Sequence, residues 1–323
     1  MASAEDDLIA RYFRPLATHA GALGLVDDAA VLAASGEDIV VTTDAIVEGV
    51  HFLPDDPPET LARKALRVNL SDLAAKGATP AGFVLTLALR DINERWLAPF
   101  AQALGEDAAT FGCPLLGGDT VSTPGPLMIS VTIFGKLPAG TMVRRSGAQP
   151  GDIVAVTGTI GDAALGLACL KGKKMLDDES ACEALIARYR MPQPRNALAE
   201  AIRTHANAAM DISDGLAGDL AKLCAASKVS ATVEAAAIPL SDPARRILSS
   251  GTAGMEMLIA GGDDYEVLCT IPENRWDAFR EAAGRAGVAV AAIGRMQKGT
   301  AVPVFLDASN MPMPLKRLSY SHF

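Results

Sequence analysis

The stretch Asn69-Leu-Ser-Asp72-Leu-Ala-Ala-Lys76-Gly77-Ala-Thr-Pro80 constrains the fold more than any other part of the chain. It reads as the end of a helix. Leu66, Leu70, Leu73 and Ala74 recur at the spacing of a buried stripe, and Ala62 extends that stripe backwards. Gly77 suits a left-handed cap, and Pro80 forbids continuation soon after. Thr60 is a good N-cap for the same helix, with Arg63 and Lys64 expected on its outside. Asn69, Asp72 and Lys76 fall on a second, polar face (i, i+3, i+7). That face has two readings. It is solvated, as most polar helix faces are, or Asp72 points into a site. The second reading requires carboxylates elsewhere in the chain to meet it.

With 323 residues the chain has room for two domains or for one large α/β domain. Half of the residues are hydrophobic but only 5% are aromatic, and alanine is abundant, a composition suited to helices packed closely on sheets. The formal net charge of −9 argues against a nucleic-acid-binding surface, so no nucleic-acid partner is expected. An acidic protein that binds phosphate must import positive charge, and metal ions are the obvious source. Cys113, Cys169, Cys182, Cys224 and Cys269 are scattered, with no CxxC pair. This favours reduced, mostly buried thiols and a cytoplasmic location over a disulfide framework or zinc site. The acidic start lacks the basic region of a signal peptide, and no apolar run approaches the ~20 residues of a membrane span.

Taken in order, Leu8 to Phe13 reads as a short amphipathic helix ended near Pro15. Asp27-Asp28 follows Gly24 and precedes Val31-Leu32; either it is a turn, or one carboxylate of the pair enters a site. Asp38 to Asp44 is a strand ending in Thr42-Thr43-Asp44, where hydroxyl and carboxylate oxygens together suit a hard cation. His51 stands just beyond, structural or functional. Gly82 to Leu89 has strand character, Trp96 to Thr110 helical character, and Leu127 to Gly135 alternates as a strand. Cys113 to Thr120 reads as a strand running into a tight Gly117-Gly118 turn that carries Asp119. Exposed N–H groups there suit phosphate, and a hairpin turn is the plain alternative. From Lys136 to Pro150 the composition turns to Pro, Gly and Arg, including Arg144-Arg145. This is the expected boundary between residues 1–140 and 141–323.

The second half opens on a strand, Asp152 to Gly158, and a turn, Thr159-Ile-Gly161-Asp162, into a helix over Ala163–Leu170. The turn either binds phosphate at the helix N-terminus or is an ordinary connection; no Gly-Lys-Ser/Thr follows, so it is not a Walker loop. Asp211-Ile-Ser213-Asp214-Gly215 leads into a helix over Leu216–Ala226. Gly261-Gly262-Asp263-Asp264-Tyr265-Glu266 repeats the Gly-Gly-Asp theme before a strand, Val267–Ile271. Asp28, Asp44, Asp72, Asp119, Asp211 and Asp214 thus sit at strand ends or beside glycines. Such an oxygen set, with Thr42 and Thr43, describes several Mg²⁺ ions better than one, and like charges crowded without cations repel strongly. Several Mg²⁺ ions holding a nucleoside triphosphate point to phosphoryl transfer.

These motifs, in this order from Leu8 to the terminal His322-Phe323, closely resemble the bacterial thiamine-monophosphate kinase family. The wider superfamily includes aminoimidazole ribonucleotide synthetase, selenophosphate synthetase and a hydrogenase-maturation protein. His51-Phe52, the full Asn69–Pro80 string and the His-Phe tail point to the kinase. The resemblance implies an α/β (α+β) fold of two domains. The N-terminal domain is a mixed sheet with helices that pairs with a second subunit in a homodimer; a C-terminal α/β domain packs against it, with ATP between the domains. It implies transfer of the ATP γ-phosphoryl group to thiamine phosphate. By the same carry-over, Asp28, Thr42, Thr43, Asp44, Asp72, Asp119, Asp211 and Asp214 bind Mg²⁺. Gly118, Asp119, Arg145 and Ser213 bind ATP, and His51, Asp263 and Tyr320 face the substrate. Asp44, Asp72, Asp119 and Arg145 carry the catalysis.

Two departures stand out. The family's Gly-Gly-Glu is Gly261-Gly262-Asp263 here, one methylene shorter, and Arg317 falls near the place of an aromatic, with Tyr320 the nearest ring. The acceptor, a phosphate monoester mostly ionised at pH 7, needs no general base, so direct in-line attack without a phospho-enzyme is expected. Selenophosphate synthetase would want a cysteine or selenocysteine near the start, and the maturation protein a C-terminal cysteine; this chain has neither. An enzyme like aminoimidazole ribonucleotide synthetase is the alternative, and a non-catalytic Mg-nucleotide-binding subunit a more distant one.

Overall fold

In a computed structural model the chain is described over residues 9–19 and 36–319. Asp27, Asp28, Tyr320 and the His322-Phe323 tail lie outside the described residues. The chain divides into two compact units. The first runs to Leu73 and resumes over Ala78–Gly140; the second takes Ala74–Gly77 and everything from Thr141 onward. A short helical segment, Ile9–Phe13, is continued by one tighter turn, Arg14–Leu16, and ends there, next to Pro15 as expected.

The first unit holds β1 (Glu37–Val47), β2 (Thr79–Leu89), β3 (Leu115–Ser122) and β4 (Met128–Pro138), in the spatial order β1-β4-β2-β3. β4 is antiparallel to both β1 and β2, while β3 joins β2 in parallel, which makes the sheet mixed. Helix α1 (Pro58–Lys76), up to Leu73, and helix α2 (Glu94–Thr110) accompany it. Along β4 the period of two is clear: Ile129, Val131, Ile133 and Leu137 are buried, while Ser130, Thr132, Phe134 and Lys136 are half-buried. The buried set joins Leu66, Leu70 and Leu73 of α1 and Leu97, Phe100 and Leu104 of α2 in one core. On β1, Ile39 and Val41 remain 44% and 56% exposed. α1 and α2 are also tied by charge: Asp107 is buried and accepts from Arg63 at 2.5 Å and from Arg67 at 2.5 and 2.9 Å.

α1 follows the expected stripe and stop. Gly77 takes a left-handed φ of +72°, and the Ala78 N–H closes the end on the Leu73 carbonyl at 2.9 Å. The helix starts at Pro58, two residues before Thr60, with proline at its tolerated first position. Its supposed outer face is not outside. Lys64 is 2% exposed, and Asn69 and Ser71 are fully buried. Only Asp72 and Lys76 of the expected polar face are half-exposed.

Two other expectations need correcting. β1 does not end at Asp44 but continues to Val47, so Thr42, Thr43 and Asp44 are mid-strand residues. Gly117 and Gly118 form no tight turn; they lie in β3, in register with Val84 and Leu85 of β2. The reason for glycine is proximity, since a Cβ on Gly118 would sit 2.0 Å from the Leu85 carbonyl oxygen. Gly118→Ala therefore has to push β3 off β2, and a loss of about 1–3 kcal/mol in denaturant unfolding is expected. A variant as stable as the parent would mean that the two strands are not this close.

The second unit is built on a six-stranded sheet of β5 (Ile153–Thr157), β6 (Ala208–Asp211), β7 (Ser230–Glu234), β8 (Val267–Ile271), β9 (Val290–Gln297) and β10 (Val304–Leu306). The spatial order is β10-β7-β9-β5-β8-β6, antiparallel except for the β10–β7 pair. Its helices are α3 (Asp162–Leu170), α4 (Glu179–Arg190), α5 (Ala199–His205), α6 (Leu216–Ser227), α7 (Asp242–Ser249), α8 (Met255–Ile259) and α9 (Trp276–Arg285). Every residue of β5 and β8 is buried, as strands covered on both faces must be. Val154 and Val156 join one core with Leu165, Leu216 and Leu220. Ile153 and Ala155 join another with Ile202, Phe279 and Ala74–Ala75. No helix among the described residues is long and apolar enough to cross a membrane.

Candidate functional site

The residues expected to act together fall in both units, so each unit is taken by itself. In the first, Thr42 and Asp44 alternate onto one face of β1 and Thr43 onto the other. The Thr42 hydroxyl donates to Asp72 Oδ2 at 2.7 Å, so strand and helix bring two predicted ligands together across thirty residues of sequence. Thr43 is exposed; its hydroxyl donates to the Val131 carbonyl at 3.1 Å and accepts from Thr132 at 2.8 Å. Asp44 and Asp119 are exposed on β1 and β3, and Asp119 stands in register with Thr86. Asn69, one helical turn before Asp72, donates to the Ala65 carbonyl at 2.9 Å, while its own Oδ1 is buried without a hydrogen-bond partner. Left unpaired, such an atom costs about 1–3 kcal/mol.

His51 sits in the turn that leaves β1. The Val47 N–H donates to its Nδ1 at 3.1 Å, and its own N–H donates to the Val47 carbonyl at 2.9 Å. Lys64 Nζ donates to the His51 carbonyl at 3.0 Å. Next in the chain Phe52 is buried, and neighbouring Glu48 is gripped by both terminal nitrogens of Arg90 at 2.9 Å.

In the second unit, β6 ends at Asp211, which is buried. The chain then turns through Ser213 and Asp214 into α6. Asp219, fully buried in the first turns of α6, accepts from the Ser213 N–H at 3.0 Å and the Asp214 N–H at 2.9 Å. It organises that turn as an acceptor at a helix N-terminus. Burial raises its pKa, partly offset by Lys222, whose ammonium donates to it at 2.8 Å. Lys222 also meets the Asp214 carboxylate. Burial works against the charge of Lys222, but these two carboxylates raise its pKa on balance.

The Gly261–Glu266 segment is stitched to the same turn. Asp263 N–H donates to the Ser213 carbonyl and Tyr265 N–H to the Ile212 carbonyl, both at 2.8 Å. This brings Asp263, Ser213 and Asp214 together. Asp263 and Tyr265 both adopt left-handed φ, +69° and +49°. For non-glycine residues that conformation costs about 1–2 kcal/mol each. Gly262 is required by proximity, since a Cβ there would lie 2.4 Å from the Ser213 carbonyl.

Asp264 and Glu266 point the other way. The Asp264 carboxylate receives the Gly161 N–H at 2.9–3.0 Å, and burial drives its pKa well above the ordinary value. The Gly161 N–H at the start of α3 thus already receives a carboxyl group, which favours the Thr159–Asp162 turn as a structural connection. Glu266 is fully buried and accepts from Thr157 at 2.6 Å, Arg188 at 2.7 Å and both Nε and a terminal nitrogen of Arg195. Arg145 is exposed in the Arg145–Gly147 turn; its carbonyl accepts from Ser227 at 2.6 Å, and the preceding Arg144 carbonyl accepts from the Ala209 N–H.

Among the described residues no three His, Cys, Asp or Glu side chains gather as a metal cage. The available donors are nonetheless all oxygen, the chemistry of Mg²⁺. Asn69 Oδ1 is buried without a hydrogen-bond partner one turn before Asp72, whereas Asp214 already has Lys222 as its cationic partner. An all-oxygen donor set is of the kind that would accept Mg²⁺. Sequence reasoning missed Asp219, Lys222, Lys64, Arg188 and Arg195. Only Asp219 had a local signal, an acid set among Leu216, Leu220 and Leu223 of an apolar helix.

Comparison with known proteins adds three findings. Family models described as AIR synthase related protein match the N-terminal domain over residues 26–137 and the C-terminal domain over residues 149–307. The thiamine-monophosphate kinase of Caulobacter vibrioides is 45% identical, over 98% of this chain and 90% of that protein. Among solved structures, the thiamine-monophosphate kinase of Stenotrophomonas maltophilia superposes with a TM-score of 0.84 at 37% identity, over 94% of this chain and 97% of that one. AaThiL complexed with AMPPCP and TMP superposes with a TM-score of 0.79 at 30% identity, over the same shares.

Proposed function

We propose a function from one premise: the chain belongs to the AIR synthase related family, within its thiamine-monophosphate kinases. It transfers the γ-phosphoryl group of ATP to thiamine phosphate, giving thiamine diphosphate and ADP. The observation that carries this is the match over 94% of the chain to a solved relative complexed with both AMPPCP and TMP.

The residue roles follow as proposals. Thr42, Thr43, Asp44, Asp72 and Asp119 of the first unit, with Asp28, and Asp211 and Asp214 of the second, would hold several Mg²⁺ ions. When bound, Mg²⁺ neutralises phosphate charge and supports the phosphoryl group in transfer. Gly118 lets backbone approach the nucleotide closely, and Asp119, Arg145 and Ser213 bind it. Asp219 holds the Ser213 and Asp214 amides, so the turn keeps its shape whatever it binds. His51, Asp263 and Tyr320 face the thiamine phosphate. Arg145 offsets the repulsion between donor and acceptor phosphates. The acceptor oxygen is already ionised, so no side chain must remove a proton and attack is direct and in line.

We assign residues 1–140 to nucleotide binding and dimerisation and 141–323 to completing the nucleotide and substrate site. The exposed Ile39 and Val41 of β1 and Val121 of β3 supply apolar area for a homodimer. A cytoplasmic location agrees with five free cysteines.

The test is ADP release with ATP and Mg²⁺, offering thiamine phosphate, thiamine or formylglycinamidine ribonucleotide. Turnover is expected with thiamine phosphate alone. Radiolabelled ATP without acceptor should leave no stable label on the protein. A labelled enzyme would end the direct mechanism, and silence towards thiamine phosphate would end the assignment itself.

A further inference from the structure

We infer that His51 serves as a neutral Nε2–H donor, set in that tautomer by the Val47 N–H, while the buried Lys64 acts as a positioning residue on its backbone carbonyl. The inference deepens the functional reading above and rests on it for the identity of the acceptor phosphate.

A backbone N–H always donates. Because the Val47 N–H points at His51 Nδ1, that nitrogen must present its lone pair. The ring proton then sits on Nε2, and the imidazole is neutral while the bond is made. One bond reaches the ring, Val47 N–H to Nδ1, and two hold the backbone that carries it: His51 N–H to the Val47 carbonyl, and Lys64 Nζ to the His51 carbonyl. The first two make a closed loop at the end of β1. The third ties that loop to the middle of α1, the helix that carries Asp72 two turns further on.

Lys64 is the costly part. It is 2% exposed, and burying an ammonium costs several kcal/mol unless its surroundings compensate. Flanking contacts support the same rigidity: Phe52 is buried, Gly49 N–H donates to its carbonyl at 2.8 Å, and Glu48 is held by Arg90. A fixed Nε2–H donor suits an anionic phosphate oxygen. The same tautomer is unsuited to a nucleophile or base, because its Nδ1 lone pair is engaged and its Nε2 is protonated.

Nitrogen-15 NMR of the full chain labelled at histidine reads the tautomer directly, with the His51 signals identified by their loss in His51→Leu. A lone-pair Nδ1 signal with a protonated Nε2 is expected in the wild type. A protonated Nδ1, or a doubly protonated ring, overturns the inference. Lys64→Met should blur that signature into tautomer exchange and raise the thiamine phosphate KM more than the ATP KM; Lys64→Arg, which keeps a donor, should restore both. If Lys64→Met leaves signature and KM values unchanged, Lys64 does not position the ring. Should that variant fail to fold, the His51 pair still decides. His51→Leu should raise the thiamine phosphate KM about tenfold or more. His51→Gln, which keeps an N–H near the Nε2 position, should recover most of that loss, and equal losses in both overturn the donor role. Failure of the kinase assignment would show separately, as a wild type that keeps the tautomer but does not turn over thiamine phosphate.

Discussion

Asp72→Asn should give a folded protein that phosphorylates thiamine phosphate at least about 100-fold more slowly than the wild type. Asparagine keeps an oxygen that can accept from Thr42, so the 2.7 Å link between β1 and α1 survives. What disappears is one negative charge on a half-buried helix face. Partners that merely orient a metal ligand cost ~10–100-fold when removed, and a ligand itself should cost more. Stability should move by less than about 1 kcal/mol, because one hydrogen bond is exchanged for a similar one. Steady-state rates at saturating ATP and Mg²⁺, beside a denaturant melt, separate the two effects. An unchanged kcat would reduce Asp72 to a structural partner of Thr42. The Thr42→Val variant sharpens the reading, since it removes the link and spares the charge.

Glu266→Ala should produce the largest loss of stability among the single substitutions considered, about 3–5 kcal/mol in urea unfolding. The carboxylate is fully buried beneath Arg188, Arg195 and Thr157. Removing it strands two guanidinium groups against each other and orphans the Thr157 hydroxyl, which also receives the Val267 N–H at 2.8 Å. Both arginine side chains keep about a fifth of their exposure, so water recovers part of the loss and the lower half of the range is expected. Activity should fall as well, because Glu266 closes the segment in which Asp263 and Tyr265 are held at left-handed φ. A loss below about 1 kcal/mol would mean that the cluster is solvated and contributes little, as exposed ion pairs do.

Much of the fold was legible. The leucine stripe of α1, Gly77 as its cap, the apolar runs of β2 and β8 and the alternation of β4 all follow from local periodicity. The activity was legible through the order of the motifs, which resembles the thiamine-monophosphate kinases, and the 45% identity to such a kinase over 98% of the chain bears that out. One motif misled. Gly117-Gly118 looked like a turn because glycine permits turns, yet here it permits a neighbouring strand to come close. The Thr159–Asp162 turn allowed either phosphate or an ordinary connection, and Asp264 on the Gly161 N–H favours the ordinary one.

The chain's own order of residues determined which segments are helix or strand and which side chains offer oxygen. These are local properties, encoded at a spacing of two or of three to four residues. Only the tertiary structure decided which polar groups are spoken for. Asp72 meets Thr42 thirty residues away, and Asp264 meets Gly161 across 103. Lys64 and Asn69 occupy positions on α1 that a helical wheel assigns to solvent, and both are buried. Periodicity tells a helix which face is apolar, but whether its polar face meets water depends on segments that periodicity does not see. Asp72 is where the two kinds of information join: the leucine stripe sets its place on the helix, and the strand beneath supplies its partner.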